Sequence, residues 1–312
     1  MNNRPSIVTG QYSHNWRCPF LANGPVALLL LCALLLSCKS SSAQVAAPTS
    51  TVFQNPQRVT IAGYNGDAME PFLSRDGKYL FFNNLNEPSV NTNLHWAERI
   101  DDLQFKYRGE IGNVNTPALE GVPSMDRSRN FYFVSNRSYD KTASTLYSGK
   151  FADGAITDIE LVPGVSLAKP GIVNFDAEIS ADGDTLYFVE SEFSRRGEPK
   201  SARIMAAHRS GNTFVRDPAS EAIFKTINTA GLNYAPATTA SELEIFFTRT
   251  DGHSVGIYWA KRVNKSQPFD NPVRLAAPTG FVEAPTLSPD EKSLYYHKKE
   301  DGHLVIYRVT RP

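Results

Sequence analysis

Glu70-Pro71-Phe72-Leu73-Ser74-Arg75-Asp76-Gly77-Lys78, running into Tyr79-Leu80-Phe81-Phe82, is the stretch on which the fold turns. A short apolar segment, a polar Asp-Gly turn and an aromatic-rich run read as two strands joined by a tight turn. The pattern returns four times. Val122-Pro123-Ser124-Met125-Asp126 leads to Phe131-Tyr132-Phe133-Val134, and Asp176-Ala177-Glu178-Ile179-Ser180-Ala181-Asp182-Gly183 leads to Leu186-Tyr187-Phe188-Val189. Ala235-Pro236-Ala237-Thr238-Thr239 leads to Leu243-Glu244-Ile245-Phe246-Phe247, and Ala284-Pro285-Thr286-Leu287-Ser288-Pro289-Asp290 leads to Leu294-Tyr295-Tyr296. With Pro71, Pro123, Ala177, Pro236 and Pro285 equivalent, the steps are 52, 54, 59 and 49 residues. A period near fifty with several strands per unit is the mark of a propeller blade.

Third strands follow at Leu94-His95-Trp96-Ala97, Leu146-Tyr147-Ser148, Arg203-Ile204-Met205-Ala206, Ile257-Tyr258-Trp259-Ala260 and Val305-Ile306-Tyr307-Arg308. A weaker fourth strand precedes each next unit, and the fifth unit stops one strand short at Pro312. Phe53-Gln54-Asn55-Pro56-Gln57-Arg58-Val59 matches Phe269-Asp270-Asn271-Pro272-Val273-Arg274-Leu275, the fourth-strand region of unit four. The match offers a strand to the incomplete blade, and closing a ring removes two unpaired strand edges. The expected fold is therefore all-β, a five-bladed β-propeller of four-stranded blades, closed by an N-terminal strand that completes the last blade. It covers residues 52–312.

The repeat resembles the TolB-type, WD-repeat-like propeller family, whose units carry a P-x-x-S-P-D-G-K turn and then an aliphatic-aromatic strand. Ser288-Pro289-Asp290 and Ser74-Arg75-Asp76-Gly77-Lys78 are the best matches, while Thr239-Ala240-Ser241-Glu242 has lost the turn residues. The resemblance implies the fold. It leaves function open, because such propellers serve as binding platforms, protease accessory domains and enzymes alike.

Residues 1–37 read as an address. Val26 to Leu36 is an apolar run far shorter than the roughly 20 residues of a membrane-spanning helix, and it fits the core of a secretory signal. It ends in Leu35-Leu36-Ser37-Cys38, which resembles the bacterial lipobox, so Cys38 is the expected lipidation site and first mature residue. Residues 38–51 are small, polar and proline-containing, the composition of a flexible tether. In a Gram-negative cell Lys39 is not the aspartate that retains a lipoprotein at the inner membrane, so an outer-membrane anchor facing the periplasm is expected.

Composition narrows the function classes. The three cysteines, Cys18, Cys32 and Cys38, all fall in the first 38 residues, so the domain holds no disulfide framework and no Cys-ligated zinc. Lysine plus arginine equals aspartate plus glutamate at 32 each; with Arg4 and Arg17 removed with the leader, 30 bases face 32 acids, a net of −2. Such a balance offers no field for nucleic acid and no polybasic membrane stripe.

Inner strands of a propeller line its central channel, and the residues just before them crowd its mouth. Glu70, Glu120, Asn174, Asp176, Asn233, Tyr234 and Glu283 hold those positions and are the candidate ligand-binding set. Converging carboxylates can raise one another's pKa and do acid–base work, which makes Glu70, Asp176 and Glu283 the catalytic candidates. Asp251-Gly252-His253 and Asp301-Gly302-His303 repeat between second and third strands, so His253 and His303 are candidate ligands for a divalent cation in the channel. The competing assignment is a pair of ordinary Asp-Gly hairpin turns with exposed histidines. Trp96, Trp259, Tyr139 and Phe193 are candidate stacking surfaces, although the matching positions of Trp96 and Trp259 favour packing between blades.

The leading expectation is a monomeric, lipid-anchored, non-catalytic envelope propeller that binds a protein or polysaccharide. The alternative is a glycoside hydrolase-like enzyme using the acidic residues at the channel mouth.

Overall fold

A computed structural model describes residues 49–86, 91–194, 199–250 and 254–312. The expected leader 1–37, the lipidation site Cys38 and most of the expected tether lie outside the described residues. Thr49–Ser50, inside the stretch expected as tether, are already strand.

Five antiparallel sheets surround a central axis. Blade 1 runs Met69–Leu73, Tyr79–Asn83, Leu94–Arg99 and Gln104–Glu110, and blade 2 runs Glu120–Met125, Asn130–Ser135, Leu146–Ala152 and Ala155–Leu161. Blade 3 comprises Ile172–Ile179, Thr185–Phe193, Pro199–Ser210 and Thr213–Arg216, and blade 4 comprises Leu232–Thr238, Glu244–Thr250, Val255–Lys261 and Val273–Leu275. Blade 5 takes Val282–Leu287, Ser293–Glu300 and His303–Thr310, with Gln54–Arg58 antiparallel to His303–Thr310 as its outermost strand. Among the described residues, helix is confined to two single turns, Tyr139–Thr142 and Ser220–Ile223. The face on which the inner strands begin is called the mouth face below. The opposite face carries the turns between first and second strands and between third and fourth.

Each sheet is buried on both sides, which explains why the second strands are continuous apolar runs rather than alternating ones. Successive residues of a strand point to opposite faces. Thus Phe81 packs with Phe131, Phe133 and Phe151 between blades 1 and 2, while its neighbours Leu80 and Phe82 join Val59, Phe105, Tyr295 and Ile306 between blades 5 and 1. The same logic builds clusters around Leu186 and Phe188 between blades 2 and 3, Ile245 and Phe247 between blades 3 and 4, and Phe246 and Leu294 between blades 4 and 5. Trp96 packs in the blade 1–2 cluster and Trp259 in the blade 4–5 cluster, so both serve blade packing.

The turn after each inner strand needs one residue at positive φ. Gly77 and Gly183 fill it in blades 1 and 3, but Arg129, Glu242 and Glu291 adopt φ of 63°, 59° and 59° in blades 2, 4 and 5. Blade 4, whose turn residues are missing from the sequence pattern, keeps the turn through side-chain bonds. Tyr187 Oη donates to Glu242 Oε2 at 2.6 Å, Arg262 Nε donates to the Glu242 carbonyl at 2.8 Å, and Lys265 pairs with Glu242 Oε1.

Phe53 is wholly buried at the blade 4–5 seam, edge-on to Phe246 with ring centroids 5.6 Å apart and beneath the Arg311 guanidinium at 5.2 Å. Phe53→Ala should lower stability by about 3–5 kcal/mol, the range for large buried aromatics. Urea unfolding checks this, and a loss below about 1 kcal/mol, the scale of surface changes, would show that the seam does not depend on the ring.

Candidate functional site

Every inner strand contains the same irregularity. Glu70, Val122, Asp176, Ala235 and Ala284 have φ between 50° and 55°, and at each the pairing with the second strand slips so that two residues oppose one. This is a β-bulge with a left-handed residue, which re-aims side chains and frees a backbone N–H. The freed donors reach back to the preceding blade. Val122 N–H donates to Asn83 Oδ1 (3.1 Å) and Glu70 Oε2 (3.2 Å), and Ala235 N–H to Asp176 Oδ2 (2.9 Å). Ala284 N–H donates to Thr248 Oγ1 (2.9 Å), and Glu70 N–H to His297 Nδ1 (3.1 Å).

The bulge brings Glu70, Asp176, Tyr234 and Glu283 together at the axis, all nearly inaccessible. The Tyr234 hydroxyl donates to Glu283 Oε1. Because His297 Nδ1 accepts from the Glu70 amide, its proton sits on Nε2, which donates to Glu283 Oε2 at 3.1 Å. Burial, then the charges of Asp176 and Glu283, push the Glu70 carboxyl up to about 8, against the opposing bonds from Val122 and Asn83. Burial raises Asp176 to about 7, with Glu283 adding to the rise and the Ala235 N–H working against it. Burial and the Glu283 charge hold the Tyr234 hydroxyl well above its ordinary value, so it remains a donor.

Three of the expected site residues do not join this group. Glu120, Asn174 and Asn233 share one repeat position, two residues before the left-handed one. Glu120 is fully buried and saturated by Thr116 N–H and Oγ1, Ser135 Oγ and Arg137, each within 3.0 Å. Asn233 Oδ1 accepts from Arg249 Nε at 2.7 Å, and Asn174 Nδ2 donates to the Val189 carbonyl at 3.5 Å. They brace strands rather than face the axis.

The two remaining buried acids of the inner strands carry cations: Arg137 pairs with Glu120 at 3.0 Å and Arg75 with Glu178 at 2.8 Å. Arg75 reaches from the blade 1 turn to the Met125 and Ile179 carbonyls, spanning the turn-face ends of three inner strands. Among the described residues no lysine or arginine forms an ion pair with Glu70 or Asp176. The cavity at this level, lined by Glu70, Val122, Asp176, Ala235 and Ala284 and the residues that follow them, has a volume of about 30 Å³, room for about one water.

The metal assignment fares differently. Among the described residues no group of three or more His, Cys, Asp or Glu side chains is arranged to hold a metal ion. His303 is 70% exposed at a hairpin tip, 3.5 Å from Asp67 Oδ1 and away from the axis, because Asp301-Gly302 makes the turn and turns its neighbour to solvent. His253 lies outside the described residues. Tyr139 is buried, its hydroxyl donating to the Ile172 carbonyl at 3.0 Å, which removes it as a stacking surface. Phe193 stays half-exposed, its ring centroid 6.5 Å from Phe175.

His297 is the site residue that sequence reasoning missed. Its signal is a repeat position: Asn83, Thr248 and His297 each pair with the residue just before the bulge and accept the next blade's left-handed N–H, where blades 2 and 3 carry Val134 and Val189.

No family model and no curated protein matches this chain. Among solved structures it is similar to Zg3597, a family 117 glycoside hydrolase of the marine bacterium Zobellia galactanivorans, with 12% identity over 83% of this chain and 90% of that one and a TM-score of 0.53. It is also similar to the α-L-arabinofuranosidase PaAbf62A of Podospora anserina in complex with cellotriose, with 12% identity over 85% and 98% and a TM-score of 0.51. The neighbours include a putative TolB from Agrobacterium tumefaciens, with 13% identity over 75% and 71% and a TM-score of 0.45. At such identities the likeness is one of fold. Fold and site together define a five-bladed propeller with a buried acidic centre.

The raised carboxyls fix the sign of a pH dependence. A carboxyl whose folded pKa exceeds its unfolded value binds its proton more tightly when folded. Its stabilising contribution is complete below the unfolded pKa, near 4 for these groups, and is lost as pH rises through the folded values of about 7 and 8. Thermal melts between pH 4 and 9 should therefore show melting temperature falling by several degrees from about pH 5 to about pH 8 and levelling off above it. Glu70→Gln should flatten the fall, and a variant with the unchanged wild-type slope would refute the assignment.

Proposed function

We propose that this protein is a non-catalytic propeller of the bacterial envelope, lipid-anchored through Cys38, that binds an envelope protein or polysaccharide across the mouth face. The observation that carries the reading is the size of the centre. Glycoside hydrolysis needs two carboxyl groups about 5–9.5 Å apart with a sugar ring and its leaving group between them. Here the cavity lined by Glu70 and Asp176 measures about 30 Å³, and Tyr234, His297 and backbone N–H groups already bind oxygens of Glu70, Asp176 and Glu283. Recognition then falls to the rim, where Leu119, Phe175, Phe193, Leu232 and Phe281 are half-buried, above an acidic floor. The leader and Cys38 supply the envelope location and the anchor, and the outer membrane is the expected site.

A second reading, a carbohydrate-active enzyme, has one observation in its favour. Glu70 and Asp176 are raised into the neutral range, so one can hold a proton beside an ionised neighbour, the division of labour an acid–base pair requires.

Incubation of the purified protein with a panel of envelope and plant glycans separates the two. No turnover is expected. Turnover lost in Glu70→Gln or Asp176→Asn would establish the enzyme and sink the scaffold. In parallel, a photo-crosslinker at Phe193 should capture a discrete envelope component in cells, and one at Asp153 on the turn face should not. For the anchor, Cys38→Ser should abolish metabolic fatty-acid labelling; persistent labelling would place the lipid elsewhere.

A further inference from the structure

One N-terminal segment touches three consecutive blades on their outer edges. Thr49–Ser50 lies parallel to Val273–Leu275 of blade 4, Gln54–Arg58 antiparallel to His303–Thr310 of blade 5, and Thr60–Ala62 parallel to Gln104–Glu110 of blade 1. The direction of this strap follows from the ladder. Inner strands run from the mouth face to the turn face, and each further antiparallel strand reverses the sense, so the fourth strand Val273–Leu275 runs from the turn face toward the mouth. Thr49–Ser50, parallel to it, runs the same way. The chain therefore reaches Thr49 from the turn-face side of blade 4. Phe53 holds the strap to that side, beneath Arg311, whose guanidinium pairs with Glu244 at 2.7 Å and Glu291 at 3.7 Å where the second strand and turn of adjoining blades begin.

Cys38 precedes Thr49 by eleven residues. Fully extended, that length spans at most about 40 Å, comparable with the size of the domain itself. The surface next to the entry point is distinctive. Ile100 and Val263, 61% and 82% exposed, cap the turns between third and fourth strands of blades 1 and 4, the two blades flanking blade 5. They are two of the four large hydrophobic side chains exposed among the described residues. Lys78, Lys261 and Lys265 stand beside them, paired with Asp76, Glu244 and Glu242, and Asp101 and Asp102 follow Ile100 directly, so the charges around the tips are balanced. Two exposed apolar tips on the side where the chain enters can seat at the headgroup boundary of a bilayer without a basic patch to draw them, because a short lipidated tether keeps them there at high local concentration.

We infer that the turn face of blades 4, 5 and 1 rests on the lipid surface that holds the anchor, with Ile100 and Val263 set among the headgroups and the channel mouth facing away. The inference rests on the lipidation of Cys38 and adds to it an orientation, which frees the acidic mouth and its half-buried rim for a partner on the side away from the membrane.

The folded domain has no cysteine of its own, which permits single-site labelling. Ile100→Cys, Val263→Cys and, as the mouth-face reporter, Leu167→Cys would each be labelled with an environment-sensitive fluorophore on the full lipidated chain in vesicles containing a bilayer-embedded quencher. Leu167 is 39% exposed in the connection between blades 2 and 3, so its label would be accessible. Quenching several-fold stronger at positions 100 and 263 than at 167 is expected. Equal quenching at all three sites, or the strongest at 167, overturns the orientation while mass spectrometry of the same sample, showing the lipid present, leaves the anchor standing. A sample without lipid on Cys38 overturns both. Labels at 100 and 263 that are unquenched in vesicles but shielded in native envelopes would assign this face to a protein partner instead and overturn the lipid contact.

Discussion

One residue per blade in the left-handed conformation sets the centre of this ring. Glu70, Val122, Asp176, Ala235 and Ala284 all sit at φ near 50° without being glycine, and each such residue costs on the order of 1 kcal/mol or more. The return is geometric. The bulge points a backbone N–H toward the preceding blade, and acceptors on Asn83, Thr248, His297, Glu70 and Asp176 meet four of the five. Neighbouring blades are thereby tied at the axis by hydrogen bonds, where five sheets converge and leave little room for apolar side chains. Farther out, aromatic clusters take over the same task, one cluster per interface.

The bulge also explains the behaviour of the acids. The two other buried carboxylates of the inner strands, Glu120 and Glu178, are compensated by arginines and by hydroxyl donors, the arrangement that makes a buried charge tolerable. Glu70 has instead the Val122 N–H and the Asn83 side chain, Asp176 has the Ala235 N–H, and each faces the other's charge. One amide does not replace the hydration that a carboxylate loses on burial, and neighbouring like charges add to the deficit. The centre therefore stores electrostatic strain that the rest of the fold must offset. Such strain is retained only where the surrounding packing over-determines the geometry, as the five interfaces and the strap from Thr49 to Ala62 do here.

The fold was legible in the sequence because the repeat is carried by burial on both faces of each sheet. A run such as Phe131-Tyr132-Phe133-Val134 has no polar alternation to lose, and five copies at a spacing near fifty leave few alternatives. The site was legible only in part, and the reason is again the bulge. Strand periodicity assigns alternate residues to opposite sides, but an extra residue shifts the phase, so positions such as Glu283 and Asp176, one register apart in their repeats, both meet the axis, while Glu120, Asn174 and Asn233 do not. No propensity marks an alanine or valine as left-handed. His297 was hidden for a related reason, since it follows the buried run Leu294-Tyr295-Tyr296 within its strand, and only its equivalence with Asn83 and Thr248 reveals the acceptor role. The blade 4 turn shows the converse: Glu242 gives no turn signal, yet Tyr187, Arg262 and Lys265 from two blades hold it in the conformation that glycine adopts elsewhere.

A narrow, strained, acidic axis and a half-apolar rim divide the labour in a way that bears on recognition. The cavity at the level of the bulge has space for about one water, so it cannot discriminate among large ligands by shape. What it can supply is a fixed negative potential at the floor of the mouth face, strongest when Glu70 and Asp176 are ionised and weaker when they are protonated. Discrimination by shape must come from loops and rim side chains such as Leu119, Phe193 and Phe281, which vary from blade to blade while the inner strands repeat. A partner reading both would present an apolar surface with a positive group near its middle. The symmetry of the scaffold and the asymmetry of its rim are thus consequences of one constraint: the axis must be identical enough in five blades to close, and only beyond the bulge is the sequence free to differ.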